Sequence, residues 1–534
     1  MAPAQREFDY VVVGGGTAGC VLAARLAEDP EVSVCLIEAG AAFEDDPMVL
    51  GYHGSVPLLG NPKYDYDYGI VPQKRGNSRI RHSRARMLGG CSSHNDTVAF
   101  RPPDRDLRAW ERLGAAGWGP AETRSYYERA IAAAHVHLAP GRSACARAAH
   151  RAAIDLGLPE VDVHGEDFAE GAGWLYLNER DEVRQSTAVA YLYPLSELPA
   201  NLTLLTETMV RGVLLDDNGT ATGVATETGE VKAREEVVIC AGAVDTPRLL
   251  MWSGVGPADQ LRQAGIEVRH ELHGVGENLR DHIEAPVVWE ATGDTGPSLQ
   301  NAENAFFRRT RPEAEGFDLF FHVITQPYYV SIELDGRPLT MPDRGFCVVP
   351  NVAKPRSGGT LRLNPSDPHG APLIDPGYFT DAGGEDERLL VEGIRIARAL
   401  GRQDALGDWI VREVAPGAGV RDDEESLGRY VRRASNTVYH PAGTCKMGDP
   451  GHADAVVDPH LRVRGLERLR IADASVFPEM ISVNLCLTVM MIGERCADLL
   501  TGRESGMRAG GEHWSASRFD GAPSVGRGSP PARR

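Results

Sequence analysis

The sequence predicts an α/β protein in which a Rossmann-like nucleotide-binding domain is assembled from separated segments and interleaved with a second domain. Three observations carry that expectation. Residues 8–13, FDYVVV, form a short apolar run that ends at a glycine cluster. The following CVLAARLAED has helical spacing and VSVCLIEAG reads as a second buried strand, so a complete βαβ unit opens the chain. Far downstream, EVVICAG (236–242) runs into the helical TPRLLMWSG, and LRIADAS (469–475) precedes the apolar helical pattern LTVMMIGERCADLL (487–500). These blocks need one another to complete a sheet, so the stretches between them must fold separately.

The turn after the first strand supports the same fold. Gly14-x-Gly16-x-x-Gly19 lies between strand and helix, and Glu38 closes the second strand. Gly14 permits the tight turn, Gly16 admits a pyrophosphate against the backbone, and Gly19 lets helix and strand pack closely. Thr17 and Ala18 then open a helix whose free N–H groups and positive dipole suit a diphosphate. Glu38 is placed to accept hydrogen bonds from ribose hydroxyls. The pattern fits FAD or NAD; its position at the start of so long a chain leans towards FAD.

Composition narrows the partners. At 534 residues the chain has room for about three or four domain-sized units. Its 75 acids against 56 bases leave −19, which disfavours nucleic acid and anionic membrane surfaces. No stretch approaches the roughly 18 apolar residues of a membrane span, and no secretory signal is evident. Nine scattered cysteines without a C-x-x-C pair suggest a reduced, cytoplasmic protein and argue against a metal centre. A homodimer remains open. The tail, residues 504–534, lacks apolar periodicity and is expected to be disordered.

A second glycine-rich stretch, Arg86-Met-Leu-Gly-Gly-Cys-Ser-Ser-His-Asn95, brings small and polar residues together. On its own it reads equally as a polar turn or as a wall against a flat ligand. Taken with FDYVVVGGGTAGCVLAARL, GAVDTPRLLMWSGVGP (242–257), GVGENLRDH (274–282), NTVYHPAGTCKMG (436–448) and ADASVFPEMISVN (472–484), in that order, it resembles the glucose–methanol–choline (GMC) flavin oxidoreductases over roughly residues 7–502.

That resemblance implies an FAD domain from 1–155, 200–290 and 438–503, and a substrate domain from 156–199 and 291–437 built on an antiparallel sheet flanked by helices. It implies oxidation of a small polar primary alcohol, amino-bearing in type, to the aldehyde by hydride transfer to flavin, with O2 as acceptor. A non-oxygen acceptor and a lyase with structural FAD stay open as alternatives. For the cofactor it adds Gly90, Ser93, His94, Asn95, Val210, Asp473 and Ala474 to the residues above, with His94 matching a histidine that some members join covalently to FAD; the rival is a His94 that only packs against the ring. It places His440, in Tyr-His-Pro-Ala-Gly-Thr, and Asn484 at the catalytic positions. A histidine can take the alcohol proton near neutral pH while an amide holds the hydroxyl.

For the substrate, the resemblance to choline-oxidising members suggests Glu303, Asp96, Lys354, Tyr439 and Val438. Lys354 would replace an active-site histidine. Asp96 adds a negative charge beside the flavin, and residues 51–60 lack a tryptophan of the aromatic cage that selects quaternary ammonium groups. The expected reaction class survives these departures, whereas choline itself becomes doubtful as substrate.

Overall fold

A computed structural model describes residues 6–51, 55–164, 167–193, 198–296, 301–334 and 337–503. The strand Arg6–Val13 lies between two parallel neighbours, Val34–Ile37 and Gly229–Ile239. Leu202–Leu205 continues the parallel sheet beyond the first neighbour, and Leu469–Ile471 continues it beyond the second. Such strands are covered on both faces and therefore read as unbroken apolar runs; Val11, Val12, Val34, Cys35, Leu36, Val237, Val238 and Ile239 have no exposed surface. Val210–Leu215 and Ala221–Thr226 complete seven strands as antiparallel additions on the outer half of Gly229–Ile239. The expected helices form at Thr17–Leu26, Gly242–Trp252 and Cys486–Thr501.

A second, wholly antiparallel sheet of eight strands runs Ile410–Ala415, Val287–Ala291, Gly345–Val352, Leu319–Ile324, Asn304–Arg308, Gly171–Trp174, with Ile283–Glu284 attached at Gly345–Val352 and Asn436–Thr437 paired in turn with Ile283–Glu284. Its two faces serve different purposes. In Leu319–Ile324, Leu319, Phe321 and Val323 pack into the core beneath the helices Ala144–Asp155, Glu385–Gly401 and Glu424–Ala434. Phe320 joins the core of the parallel sheet, and His322 and Ile324 face a cavity. The two-residue period of a strand produces this division.

Two segments expected in the nucleotide-binding half lie with this second sheet. The helix Ala144–Asp155, from the stretch 1–155, presents Cys145, Ala148, Ala149 and Ala152 to the same core as Val287 and Phe321. The strand Val287–Ala291, taken to residue 290 with the first domain, pairs with Gly345–Val352 and Ile410–Ala415. Their small and β-branched faces complete the antiparallel layer. The expectation for the tail 504–534 falls outside the described residues. All nine cysteines are unpaired, and among the described residues no helix is long and apolar enough to cross a membrane.

The first and last helices of the parallel domain are tied by a buried charge. Glu494, with no exposed surface, accepts hydrogen bonds from Arg25 Nε at 3.0 Å and from the Tyr191 hydroxyl at 2.9 Å, and Arg129 Nε stands 3.3 Å away. Glu494→Leu strips the carboxylate from two arginines. It should lower the unfolding free energy by about 3 kcal/mol, read by denaturant titration; a loss below about 1 kcal/mol would show the network to be dispensable.

Candidate active site

The glycine turn is built from main-chain contacts. Gly14 adopts φ +99°, and a Cβ there would lie 2.6 Å from the Cys240 carbonyl oxygen; one on Gly19 would lie 1.9 Å from the Gly14 oxygen. Gly19 is thus the helix–strand packing residue and does not face the cavity. Gly16 does face it, and the nearest atom to a Cβ there would be 3.6 Å away. The helix Thr17–Leu26 that follows has no side-chain cap and no acid in its first turn, which leaves its N–H groups available to an anion. Glu38 lines the same space and braces the turn, accepting from Gly15 N at 2.9 Å and Gly40 N at 2.8 Å. Burial pushes its carboxyl up to about 7.

The second glycine stretch leans on the first. Gly89 and Gly90 take φ of +84° and +52°, and a Cβ on Gly90 would sit 2.7 Å from Gly16 Cα. The short 3-10 turn Gly90–Ser93 then delivers His94 into the cavity wall. His94 is buried, and neither ring nitrogen has a hydrogen-bond partner. Burial, with the nearby charges of Arg84 and Arg184, pulls its pKa down to about 3, so the ring is neutral. Ser93 departs from expectation: its hydroxyl turns back to the Leu88 carbonyl at 2.8 Å and lies outside the cavity. Ser92 lines the cavity in its place.

One cavity of about 900 Å³ joins Gly14, Gly16, Gly90 and Glu38 to Asn95, Asp96, Val210, Val438, Tyr439, His440, Asp473, Ala474 and Asn484. Asp473 organises one wall by accepting from Gly242 N at 2.8 Å and from the Thr246 hydroxyl at 2.6 Å. His440 follows Tyr439, which holds φ +63°, and the His440 N–H donates to Asp281 Oδ1 at 3.0 Å. Its ring meets His282, with the two Nδ1 atoms 2.9 Å apart. Burial, reinforced by His282, His322 and Arg84, holds the His440 pKa well below the usual imidazole range. Its ring is therefore uncharged at neutral pH.

Two expected substrate residues are elsewhere. Glu303 has no exposed surface and accepts from Arg142 N at 3.0 Å and Ser143 N at 2.7 Å, so its charge is consumed at the start of Ala144–Asp155. Its neighbour Ala302 is the one that reaches the cavity. Lys354 is bound by Glu479 at 2.6 Å and Asp106 at 3.1 Å, outside the cavity. Burial alone would lower its pKa, but the two carboxylates reverse that and raise it. Nor is a histidine missing: His322 lines the cavity, its pKa brought to about 4 by burial against an opposing hydrogen bond with Asn484.

A carboxyl group that was not expected there, Glu284, does reach the cavity. It accepts from the Tyr328 hydroxyl at 2.7 Å, and burial raises its pKa to about 8. Asp96, accepting from Ser55 N at 3.1 Å, and the rings of Tyr329 and Tyr439 line the same space. The signal for Glu284 lay in GVGENLRDH, two residues short of it.

Residues 8–284 and 355–493 match the GMC oxidoreductase N- and C-terminal family descriptions. The chain belongs to the GMC oxidoreductases. Choline oxidase of Arthrobacter globiformis is 43% identical, across 94% of this chain and 95% of its own length. Mitochondrial choline dehydrogenase of Homo sapiens is 32% identical, across 93% and 90%. Among solved structures, pyridoxine 4-oxidase from Mesorbium loti superposes with a TM-score of 0.83 at 29% identity, across 92% and 98%.

This GMC oxidoreductase is an FAD-dependent enzyme of alcohol oxidation, and its own residues fit the cofactor. The uncapped helix, the open space before Gly16 and the partnerless ring of His94 all face one cavity large enough for a dinucleotide. The Gly16–Gly90 contact makes a clean test. Gly90→Val forces a side chain into main chain, so the purified variant should carry less than about a tenth of the flavin absorbance of the parent. A variant with full flavin content would show that the two glycine stretches can part without loss of the site.

Proposed function

We propose that the enzyme oxidises a small cationic primary alcohol, an amino alcohol in type, with His440 as the base and Asn484 as the group that holds the hydroxyl. The observation that carries this reading is the position of a neutral, buried histidine in the same cavity as the glycine turns, with Glu284, Asp96 and two tyrosine rings close by. Bound FAD supplies the hydride acceptor. His440 takes the hydroxyl proton as the alcohol is oxidised, and Asn484 orients the oxygen. Asp96, the tyrosine rings and, once ionised, Glu284 attract the cationic end. Gly14, Gly16, Thr17, Ala18, Glu38, Gly90, Asn95, Val210, Asp473 and Ala474 form the cofactor's walls in this reading, and His94 joins it covalently: its neutral, unpaired nitrogen is a nucleophile waiting on the cavity side. O2 serves as electron acceptor, and the unpaired cysteines favour a reducing, cytoplasmic setting. The domain division follows the sheets, with Ala144–Asp155 and Val287–Ala291 assigned to the substrate half.

The relative named choline dehydrogenase gives the second reading, a non-oxygen acceptor. Peroxide release during turnover in air supports the oxidase; turnover only with an added dye supports the dehydrogenase. Acid precipitation separates the two flavin attachments, since colour that stays with the pellet indicates the His94 link and colour released to the supernatant refutes it. His440→Ala should retain flavin while kcat falls by about a thousandfold, and near-normal turnover would remove His440 from the reaction.

Glu284 gives a pH signature. It is neutral below about 8 and ionised above, whereas His440 stays unprotonated throughout this range. Affinity for tetramethylammonium, whose charge does not titrate, should therefore rise with pH through about 8 and level off above. Glu284→Gln should abolish that rise and, above about pH 8 where the parent's carboxylate is ionised, raise KM for an amino alcohol by about a hundredfold. A pH-independent affinity in the parent would place the cation elsewhere.

A further inference from the structure

His282 stands directly behind His440 and leads into the strand Ile283–Glu284. Its Nε2 lies 3.0 Å from the carbonyl oxygen of Ala353 and 3.0 Å from that of Ile481. Carbonyl oxygens only accept, so Nε2 carries the hydrogen. Burial brings the pKa of this ring to about 4 and keeps it neutral, which leaves a lone pair on Nδ1. That lone pair points at His440 Nδ1, 2.9 Å away. Two lone pairs cannot face each other at this distance, so the hydrogen between the rings belongs to His440 Nδ1. His440 is itself neutral, and its remaining lone pair is on Nε2. A neutral histidine left to itself favours the opposite form, with hydrogen on Nε2.

We propose that His282, held by the Ala353 and Ile481 carbonyls, is a positioning residue that fixes the tautomer of His440 so that the base presents the Nε2 lone pair to the alcohol. This rests on the reading of His440 as the base. In the proton transfer the alcohol O–H bond breaks and an Nε2–H bond forms, with the bonding pair left on the alcohol oxygen. The resulting imidazolium keeps its Nδ1–H directed at His282, which stabilises the new charge. Asp281 holds the His440 main chain by its N–H, so the ring's hydrogen pattern depends on His282 alone among these two neighbours.

The test compares His282→Leu with His282→Asn in the flavin-loaded enzyme, because an asparagine oxygen can stand where Nδ1 stands and accept the same hydrogen. The Leu variant should lose about a hundredfold or more in kcat with KM within threefold. Asn should keep kcat within tenfold of the parent. Nitrogen-15 spectra of histidine-labelled protein should show Nδ1–H with a bare Nε2 for His440 in the parent and the Asn variant, and the reverse in the Leu variant. Equal losses in both variants with an unchanged nitrogen pattern, or a Leu variant within threefold of the parent, would overturn the proposal. If neither variant folds with flavin, the parent spectrum decides, since an Nε2–H signal from His440 is incompatible with the assignment. A His440→Ala enzyme that still turns over would instead sink the underlying reading of the base, and this proposal with it.

Discussion

The cofactor half depends on a place where main chain meets main chain with no room for a side chain. A Cβ on Gly19 would collide with the Gly14 oxygen, one on Gly14 with Cys240, and one on Gly90 with Gly16. Segments from three remote parts of the chain are thereby locked together at one end of the parallel sheet. The crossing aims the N-terminus of Thr17–Leu26 into the cavity and sets the start of the turn that carries His94. In the proposed cofactor site, the donors to a diphosphate would be the backbone groups that this crossing exposes, which side chains do not supply.

A second constraint acts at the edge of the antiparallel sheet. Ile283 pairs with Thr437 and Glu284 with Asn436, and the Val438 N–H donates to the His282 carbonyl at 3.1 Å. This register brings His282 and His440 side by side although 158 residues separate them. One short ladder thus places His440, the base in the proposed reaction, its neighbouring histidine and the buried acid Glu284 around the same volume. The chemistry depends on strand pairing more than on loop conformation.

What could be read in advance follows from these two constraints. The parallel strands were legible because burial on both faces writes them as VVV, VCLI and VVI, and the glycine turns because their backbone demands leave a local signature. His440 and Asn484 sit in compact segments, NTVYHPAGTCKMG and ADASVFPEMISVN, on which the family resemblance rests. Glu284, His282 and His322 were not legible: each lies within or beside an apolar strand, where a single polar residue looks like a tolerated core position until pairing shows what it faces. Glu303 and Lys354 were misplaced for the complementary reason. Sequence order puts them near the right segments, but the direction of a side chain is settled by tertiary partners, here the N–H groups at a helix start and two carboxylates. Ser93 shows the same limit over one residue, since its hydroxyl closes the turn while Ser92 reaches the cavity.

The alternation in Leu319–Ile324 has a wider consequence. Its odd-numbered side chains belong to the helix-covered core, while His322 and Ile324 belong to the cavity wall. The histidine pair is anchored on a different pair of strands. Substitution at Ile324 can therefore reshape the cavity while the folding core stays as it is, whereas His322, which acts on His440 and bonds Asn484, is tied to the proposed proton-handling groups. On this one strand the fold thus leaves Ile324 as the position where cavity shape can change without touching either the folding core or the histidines.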